Sequence, residues 1–378
     1  MSDVLDDVLA WWEFGATVGV GTVVETFLSA PRQPGAAMAV GPDQSVVGSV
    51  SGGCVEGAVY EVARRVAASG VPVLEKYGVS DGDAFAVGLT CGGTLHVLVE
   101  AISKTTFPEL DQVAASVRAS VPVAVATVVG GPARLGARLC VWSDHRAGSL
   151  GRVRLDEVVS TDARGMLAQG RTGVLRLGPD GERLGDELSV FVASYAPAPR
   201  MLVYGAIDFA AAVARVGSFL GFRVTVCDAR ALFATERRFP SVEEVVVDWP
   251  HRHLASVEVD QRTAICVLTH DPKFDIPLLE LALRSPAGYV GAMGSRRTHR
   301  DRLARLREAG LTEAELARLH SPIGLDVGAR TPEETAISVA AEIIRTRSGG
   351  SGAPLGQLAG PIHRGRAALQ ASRGRPSS

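Results

Sequence analysis

A regular alternation of strand and helix patterns begins near residue 200 and leaves few folds open to this part of the chain. It predicts a strand at Met201–Tyr204, a helix at Phe209–Leu220 and a strand at Arg223–Cys227. Three more short apolar runs predict strands at 244–247, 263–268 and 287–292. Since parallel strands require long crossover connections, usually helices, this order predicts a Rossmann-like, doubly wound parallel sheet.

Polar and glycine residues follow these predicted strands, where open α/β sheets bind their ligands. They are Gly205, Asp228, His270, Asp271, Gly294, Ser295 and Arg296. An acidic residue at the end of the second strand is typical of a ribose site. The Gly-Ser-Arg sequence at a helix start favours phosphate, and His270 with Asp271 and Asp275 favours ligand orientation or proton transfer. Helix capping by the Asp and Ser residues is the alternative.

The dinucleotide-binding fingerprint is incomplete in the loop after the first of these strands. The loop reads Gly205-Ala206-Ile207-Asp208, so an isoleucine stands where the second glycine of G-x-G-x-x-G is expected. That glycine lets the backbone approach a pyrophosphate, and Asp208 adds a negative charge beside it. The sequence therefore favours the fold but disfavours ordinary NAD(P) binding.

The N-terminal half centres on a glycine-rich loop that leads into a helix pattern. Ser51, Gly52 and Gly53 precede Cys54, and the valines that follow share one helix face until Gly70. The first N–H groups of a helix are unpaired and form the positive end of its dipole, which favours a thiolate or a phosphate. Cys54 is therefore a candidate nucleophile or soft ligand, or equally a small buried cysteine in a tight turn.

A second cysteine–glycine element, Cys91-Gly92-Gly93, lies further along the chain. If the helix between the two elements packs back on a sheet, both sulfur atoms lie at one end of that sheet. The patterns around them predict strands at 17–28, 35–40, 45–50 and 94–100. Between residues 130 and 196 we predict β-hairpins without a chemical site.

The clearest domain boundary is the Pro-Ala-Pro-Arg sequence at 197–200. We predict an N-terminal α+β domain at 1–196, with a β-rich middle segment at about 105–196, and a Rossmann-like domain at 200–346. From residue 347 the chain is mainly Gly, Ser, Pro and Arg, which predicts a disordered tail at 347–378.

The composition excludes several classes of protein. The five cysteines are widely spaced and include no C-x-x-C pair, which argues against a disulfide framework and a structural zinc site. A net charge of −2 gives no general attraction to nucleic acid or to an anionic membrane. The N-terminus lacks a secretory signal, and no apolar run is long enough to span a membrane, so we expect a cytoplasmic protein.

Several separate stretches carry a resemblance to a known family. They are GSVSGGCVE at 48–56, Cys91-Gly92-Gly93, DARALFATERRFP at 228–240, VLTHDPKFDIPLLELAL at 267–283, YVGAMGSRR at 289–297 and HSPIGLDVGARTPEETAISVAAEI at 320–343. In this order they resemble the XdhC/CoxI family, the accessory proteins of molybdenum hydroxylases. One departure is the loop at 205–208, where many relatives read G-A-G-H.

The resemblance implies an α/β protein with an N-terminal α+β XdhC/CoxI-type domain and a C-terminal Rossmann-like, doubly wound parallel sheet. Members of the family bind the molybdenum cofactor, as molybdopterin or its dinucleotide form, and assist its sulfuration. They then insert it into a xanthine dehydrogenase, aldehyde oxidoreductase or carbon monoxide dehydrogenase apoenzyme, so they resemble chaperones rather than turnover enzymes. Carried over to this chain, Cys54 lies near molybdenum, Cys91 is a second candidate, and the Rossmann residues named above hold the phosphate or nucleotide end.

The same resemblance implies a cysteine desulfurase as a further partner. Independently of it, we expect a second copy of the chain, because two-fold assemblies are the commonest oligomers. Two other functions stay open. One is an NAD(P)-dependent oxidoreductase with His270 as acid or base, which Ile207 and Asp208 oppose. The other is a non-enzymatic scaffold that docks the hydroxylase. The sequence does not decide whether Cys54 carries sulfur or only ligates the metal.

Overall fold

The computed structural model describes residues 2–27, 32–78 and 93–358. These residues form two units, one that ends at Pro197 and one that runs from Ala198 to Leu358. The first unit contains two five-stranded sheets and the second contains one six-stranded sheet. Among the described residues, no helix is long and apolar enough to cross a membrane.

The first sheet is antiparallel and carries the helix that follows the glycine-rich loop. Its strands have the order β3-β2-β1-β5-β4. The elements are α1 (Leu5–Glu13), β1 (Val18–Phe27), β2 (Ala37–Val40), β3 (Val46–Gly48), α2 (Glu56–Ser69), β4 (Val73–Tyr77) and β5 (Thr94–Ile102). Helix α2 buries Val59, Ala63 and Val66 against the sheet and ends at Gly70 in a left-handed cap, as predicted.

The second sheet has the order β8-β7-β6-β10-β9. Its elements are α3 (Leu110–Arg118), β6 (Val123–Gly130), β7 (Arg138–Val141), β8 (Arg146–Ser149), α4 (Val153–Ala168), β9 (Gly173–Leu177) and β10 (Leu188–Tyr195). The prediction of hairpins alone between 130 and 196 is wrong, because α4 is a helix of 16 residues. Its buried face includes the polar Asp156 and Ser160, so the apolar periodicity that signals a helix is interrupted.

The two halves of this unit repeat one order of elements: a helix, three strands, a helix and two strands. The two sheets also have the same strand order, and both repeats place a glycine with positive φ before the loop to the second helix, Gly48 and Gly148. One hydrophobic cluster joins side chains of both halves, including Ile102 and Trp142. The first unit is therefore two packed copies of one supersecondary motif, which we call copy 1 and copy 2.

The second unit is the doubly wound parallel sheet that the sequence predicts. Its strands are β11 (Arg200–Tyr204), β12 (Arg223–Cys227), β13 (Glu244–Val246), β14 (Ala264–Val267), β15 (Tyr289–Ala292) and β16 (Leu319–His320). They are all parallel and have the order β13-β12-β11-β14-β15-β16. This is the 3-2-1-4-5-6 order of dinucleotide-binding sheets.

Helices cover both faces of this sheet. They are α5 (Asp208–Phe219), α6 (Pro250–Ser256), α7 (Pro272–Arg284), α8 (Arg296–Glu308), α9 (Glu313–Leu316) and α10 (Pro332–Ser348). Two separate hydrophobic clusters fill the two faces. Helix α10 begins with a capping box of Thr331 and Glu334 and with Pro332 in its first turn. Residues 359–378 of the predicted tail lie outside the described residues.

Candidate functional site

The Cys54 loop, residues 49–55, joins β3 to α2 and is organised by the first residue of that helix. The Glu56 side chain turns back over the loop and accepts hydrogen bonds from the hydroxyls of Ser49, at 2.7 Å, and Ser51, at 2.5 Å. A carboxylate at the start of a helix also interacts favourably with the positive end of the helix dipole. Glu56 is thus an internal anion at the place where the sequence predicted an external one.

Backbone N–H groups of the loop converge on the same carboxylate. Its donors, with N···O distances, are Val50 (3.2 Å), Ser51 (2.8 Å), Gly52 (3.0 Å), Gly53 (2.9 Å) and Val55 (3.2 Å). The N–H of Cys54 donates to the Ser51 hydroxyl at 3.0 Å. The N–H groups of the loop are therefore occupied by an internal hydrogen-bond network and are not open to a thiolate or a phosphate.

The ionised form of Glu56 is strongly favoured in the folded chain. Burial opposes ionisation, but the hydrogen bonds from Ser51 and Ser49 and from the loop backbone outweigh it, and the pKa of Glu56 falls to about 2. Sequence reasoning assigned no role to this residue. A glutamate at the start of a helix, just after a turn rich in serine and glycine, was the available signal.

The outer surface of the loop is open. Gly52 and Gly53 have φ values of 77° and 121°, in the left-handed region that favours glycine. Both are exposed, and a Cβ at either position would meet no atom within 4 Å. Cys54 is half-buried and packs against the core under α2. Cys54 therefore follows two open glycine positions, and its own side chain is only partly enclosed.

Copy 2 joins its third strand to its second helix by a shorter loop, residues 150–152, which contains no cysteine. Asp156 stands in place of Glu56 and accepts from the Ser149 hydroxyl at 2.8 Å and from the Leu150 N–H at 2.7 Å. The N–H of Gly151 donates to the Ser149 hydroxyl at 3.0 Å, as that of Gly52 donates to the Ser49 hydroxyl at 2.9 Å. Arg154 stands at the same count from the shared serine as Cys54, but it lies in the first turn of α4, which begins at Val153. The Ser–carboxylate frame is common to both copies, and only copy 1 adds Gly-Gly-Cys.

Asp228 lies at the predicted edge of the parallel sheet and holds the first loop in place. Its carboxylate is buried and accepts the Ala206 N–H at 2.7 Å and the guanidinium of Arg230 at 2.8 and 2.9 Å. Burial opposes ionisation, but these hydrogen bonds lower the pKa of Asp228. Gly205 has a φ of 106°, and a Cβ there would lie 2.9 Å from the Thr269 side chain. Glycine is therefore required at this turn.

The negative charge of Asp208 has a counter-ion. Arg238 pairs with the Asp208 carboxylate at 3.1 Å and donates to the Ala206 carbonyl at 2.9 Å. The Ile207 side chain packs against the hydrophobic core beneath the loop. No local pattern in the sequence links Asp208 to an arginine thirty residues later, so sequence reasoning missed this pair.

The residues after β14 do not form one polar cluster. Asp271 caps α7 by accepting the Lys273 N–H at 3.1 Å and pairs with the Lys273 ammonium at 3.2 Å. Asp275 is buried, pairs with Arg302 at 2.7 Å and accepts a hydrogen bond from the Thr269 hydroxyl. His270 is exposed. Asp275 therefore stabilises the fold through buried contacts. Of the three predicted residues, His270 and Asp271 remain at the carboxyl edge of the sheet, where a ligand is expected.

The Gly294-Ser295-Arg296 sequence lies at the start of α8. The Ser295 hydroxyl caps this helix and accepts the Thr298 N–H at 3.1 Å, as the capping alternative expects. Gly294 has a φ of 149°, and Arg296 is exposed. The geometry thus contains both a helix cap and an exposed guanidinium beside it.

Three other cysteines have no place in this site. Cys140, Cys227 and Cys266 are buried, and burial raises the pKa of each thiol to about 12. Cys91 lies outside the described residues, so its predicted proximity to Cys54 stays a prediction.

Family models match both units of the chain. The model described as "XdhC Rossmann domain" matches residues 201–343, and the model described as "XdhC and CoxI family" matches residues 11–78 and 116–178. The chain belongs to the XdhC/CoxI family. The two matches to one model fall on copy 1 and copy 2, in agreement with the repeat seen in the fold. The family resemblance inferred from the sequence motifs is confirmed.

Named relatives extend over most of this XdhC/CoxI chain. A protein of Bacillus subtilis (strain 168), named as a probable xanthine dehydrogenase subunit, is 26% identical over 87% of this chain and 92% of its own length. "Molybdenum cofactor insertion chaperone PaoD" of Escherichia coli (strain K12) is 28% identical over 86% of this chain and 82% of its own length.

A solved structure shares the fold. The crystal structure described as a xanthine dehydrogenase from Bacillus halodurans has a TM-score of 0.65 and 24% sequence identity. The match covers 92% of this chain and 96% of that one.

Proposed function

We propose that this XdhC/CoxI protein binds the molybdenum cofactor as cargo and passes it to the apoprotein of a molybdenum hydroxylase. The observation that carries this proposal is the difference between the two loops of the first unit. The contact of a serine hydroxyl and the next backbone N–H with a helix carboxylate also forms in copy 2, where there is no cysteine, so this contact does not require the Cys54 thiol. A relative named as a molybdenum cofactor insertion chaperone supports the choice of cargo.

The chemistry of the loop fits a metal-containing cargo better than a simple anion. Glu56 already occupies the N–H groups of the loop, so the group that the loop offers is a soft thiol beside two exposed glycines. Thiolates favour soft metal centres. When bound, the cargo supplies the metal and its sulfur-rich organic ligand. The residues of the chain bind it, orient it and shield it from water.

The proposal also covers the sulfuration of the cofactor, its acceptor enzyme and the part of the chain that holds its phosphate end. The chain protects the cofactor while it receives its terminal sulfido ligand from a cysteine desulfurase, and the acceptor is a hydroxylase of the xanthine dehydrogenase or carbon monoxide dehydrogenase type. The second unit holds the phosphate or nucleotide end of the cargo at the edge formed by Gly205, Asp228, His270 and Arg296. We further propose that the chain works in the cytoplasm as a two-fold dimer.

The test is the molybdenum and pterin content of protein purified without air from a host that makes the cofactor. We expect near-stoichiometric cofactor in the wild-type chain and its loss in Cys54→Ser, because serine offers no soft ligand. Arg154→Ser is the control, since it introduces the same residue at the start of the second helix of copy 2, at an exposed position. It is expected to retain the cofactor.

A wild-type chain without cofactor would contradict the proposal. In that case, tight binding of a hydroxylase by both the wild type and Cys54→Ser would favour a docking scaffold. Equal cofactor content in the wild type and Cys54→Ser would leave cofactor binding intact and remove Cys54 from the site.

A further inference from the structure

A cavity with a volume of about 410 Å³ lies in copy 2, and all the residues that line it belong to that copy. Three loops bound it: residues 131–137 between β6 and β7, residues 150–152 between β8 and α4, and residues 178–187 between β9 and β10. Volumes of this size are typical of sites for small molecules. The cavity is therefore large enough for an organic ligand.

The inner wall of the cavity is apolar. Ala137, Leu150 and Leu155 line it, and these three residues are 4%, 2% and 1% exposed. Gly151 lines it as well, and a Cβ at this position would meet no atom within 4 Å, so the loop leaves the space open. A wall of buried apolar side chains favours the apolar body of a ligand over a bare ion.

Two arginines, Arg134 and Arg152, also line the cavity, and both are exposed, which places their charges at its mouth. No carboxylate of the described residues is part of the lining. Arg152 pairs with Asp180 in an exposed ion pair, a kind that contributes little stability, so an incoming anion can replace the aspartate. Arg134 forms no ion pair with another described residue. The mouth of the cavity therefore carries a positive charge that the chain itself does not neutralise.

The helix carboxylates of the two copies explain part of this difference in charge. In copy 1, Glu56 accepts hydrogen bonds from five backbone N–H groups. In copy 2, Asp156 is buried and accepts only the Leu150 N–H and the Ser149 hydroxyl. No side chain of the described residues caps α4, so the positive end of its dipole adds to the charge of the two arginines. The corresponding loops thus hold an internal anion in copy 1 and attract an external one in copy 2.

We propose that this cavity binds a small organic anion, a carboxylate or a phosphate carried on an apolar body. The apolar wall contacts the body, and Arg134 and Arg152 bind the anionic group, for which the guanidinium offers paired N–H donors. A bare inorganic ion would not need the buried apolar wall. A purely apolar ligand would not explain two arginines in a lining without a carboxylate. The proposal concerns copy 2 alone and does not depend on the proposed function.

The experiment is calorimetric titration of the full chain with three probes that share one apolar body: 2-naphthoate, 2-naphthyl phosphate and the uncharged 2-naphthamide. We expect saturable binding of at least one of the two anions, with one site per chain. The amide should bind about tenfold more weakly or worse, because it forms no charge-assisted hydrogen bond. The tighter of the two anions identifies the group that the arginines prefer. Added salt should weaken the binding of the anion, since both arginines are exposed.

Two variants locate the site. Arg134→Gln should weaken the binding of the anion by about tenfold or more, the size of effect expected when one charge-assisted hydrogen bond is lost. Ala133→Phe should weaken the binding of every probe, because Ala133 lines the cavity and the added ring occupies it. Arg154→Gln is the matched control, since Arg154 is an exposed arginine in the first turn of α4 that does not line the cavity. It should leave the affinity unchanged, and thermal unfolding checks that each variant is folded.

The proposal is overturned if the wild type binds neither anion, or if 2-naphthamide binds as tightly as the anions do. It is also overturned if folded Arg134→Gln binds the anions as the wild type does. An equal loss of binding in Arg134→Gln and Arg154→Gln would overturn it as well, because such a loss would reflect the general charge of the surface rather than the cavity.

Discussion

At the scale of single residues, the carboxylate of Glu56 decides what the Cys54 loop offers to a ligand. A helix start with a glycine-rich loop is usually an anion site. Here five backbone N–H groups and two hydroxyls donate to Glu56, so the anion is part of the chain. The network also fixes Gly52 and Gly53 in positive-φ conformations. The thiol of Cys54 is thereby held on a rigid loop.

Glu56→Gln should change how stability depends on pH. The folded pKa of about 2 lies below the ordinary value of 4.5, so ionised Glu56 stabilises the fold above pH 4.5. That stabilisation is lost as the pH falls from 4.5 toward 2. In Glu56→Gln the free energy of unfolding, measured by urea denaturation at each pH, should be lower at pH 7 and should decrease less over this interval. Glu61→Gln, at an exposed position of α2, is the control, and an identical pH profile for Glu56→Gln and wild type would contradict this account.

At the scale of elements, the two copies show which features the motif requires. Each copy turns into its loop at a glycine that no other residue can replace easily. A Cβ at Gly48, where φ is 76°, would lie 2.3 Å from the Ala37 carbonyl oxygen. At Gly148, where φ is 81°, it would lie 2.6 Å from that of Arg138. The agreement between copies identifies this turn as a requirement of the motif.

Gly48→Ala and Gly148→Ala should each destabilise the chain. A non-glycine residue in the left-handed region costs about 1–3 kcal/mol, and the clash with a backbone carbonyl adds to this. Thermal and urea denaturation measure the effect. Gly165→Ala, within α4 and with no atom within 4 Å of the added Cβ, should instead stabilise by roughly 0.5–1 kcal/mol. An unchanged free energy of unfolding in both turn variants would show that the backbone of the turn shifts to accommodate the added Cβ without cost.

At the scale of the whole molecule, a buried ion pair and a shared core join the two copies. Glu100 of β5 and Arg138 of β7 approach to 2.5 Å, with side chains 7% and 5% exposed. The Arg138 guanidinium also lies 4.0 Å from the ring centroid of Phe107. The Trp12 indole N–H donates to the Phe107 carbonyl at 3.1 Å. The first unit is therefore one folding unit made of two copies.

Glu100→Ala should destabilise the chain by about 3–5 kcal/mol, because it leaves the Arg138 charge buried and unpaired. The double variant Glu100→Leu with Arg138→Met should recover much of the loss, since it removes both charges. Urea denaturation provides the measurement. Glu243→Ala, which breaks the exposed pair with Arg223, should cost no more than about 1 kcal/mol. A small effect of Glu100→Ala would mean that water reaches Arg138.

Features that local patterns encode could be predicted from the sequence without any coordinates. The strand–helix alternation after residue 200 specified the parallel sheet, and Thr331 with Glu334 specified the start of α10, because capping and periodicity involve residues within a turn or two of one another. The family motifs, Cys54 among them, were likewise readable. Those motifs do not reveal that the backbone N–H groups of the Cys54 loop already donate to Glu56.

The remaining features depend on the tertiary structure, because contacts between distant residues leave no local period. Folding pairs Asp208 with Arg238 and buries Asp275 with Arg302, which removes Asp275 from the predicted ligand edge and neutralises Asp208. It also turns Glu56 back over its own loop, and it makes α4, whose buried face includes Asp156, the counterpart of α2. The repeat is hard to recognise in the sequence because the two loops differ in length and share only the Gly-Ser pair before them and a carboxylate in the helix that follows.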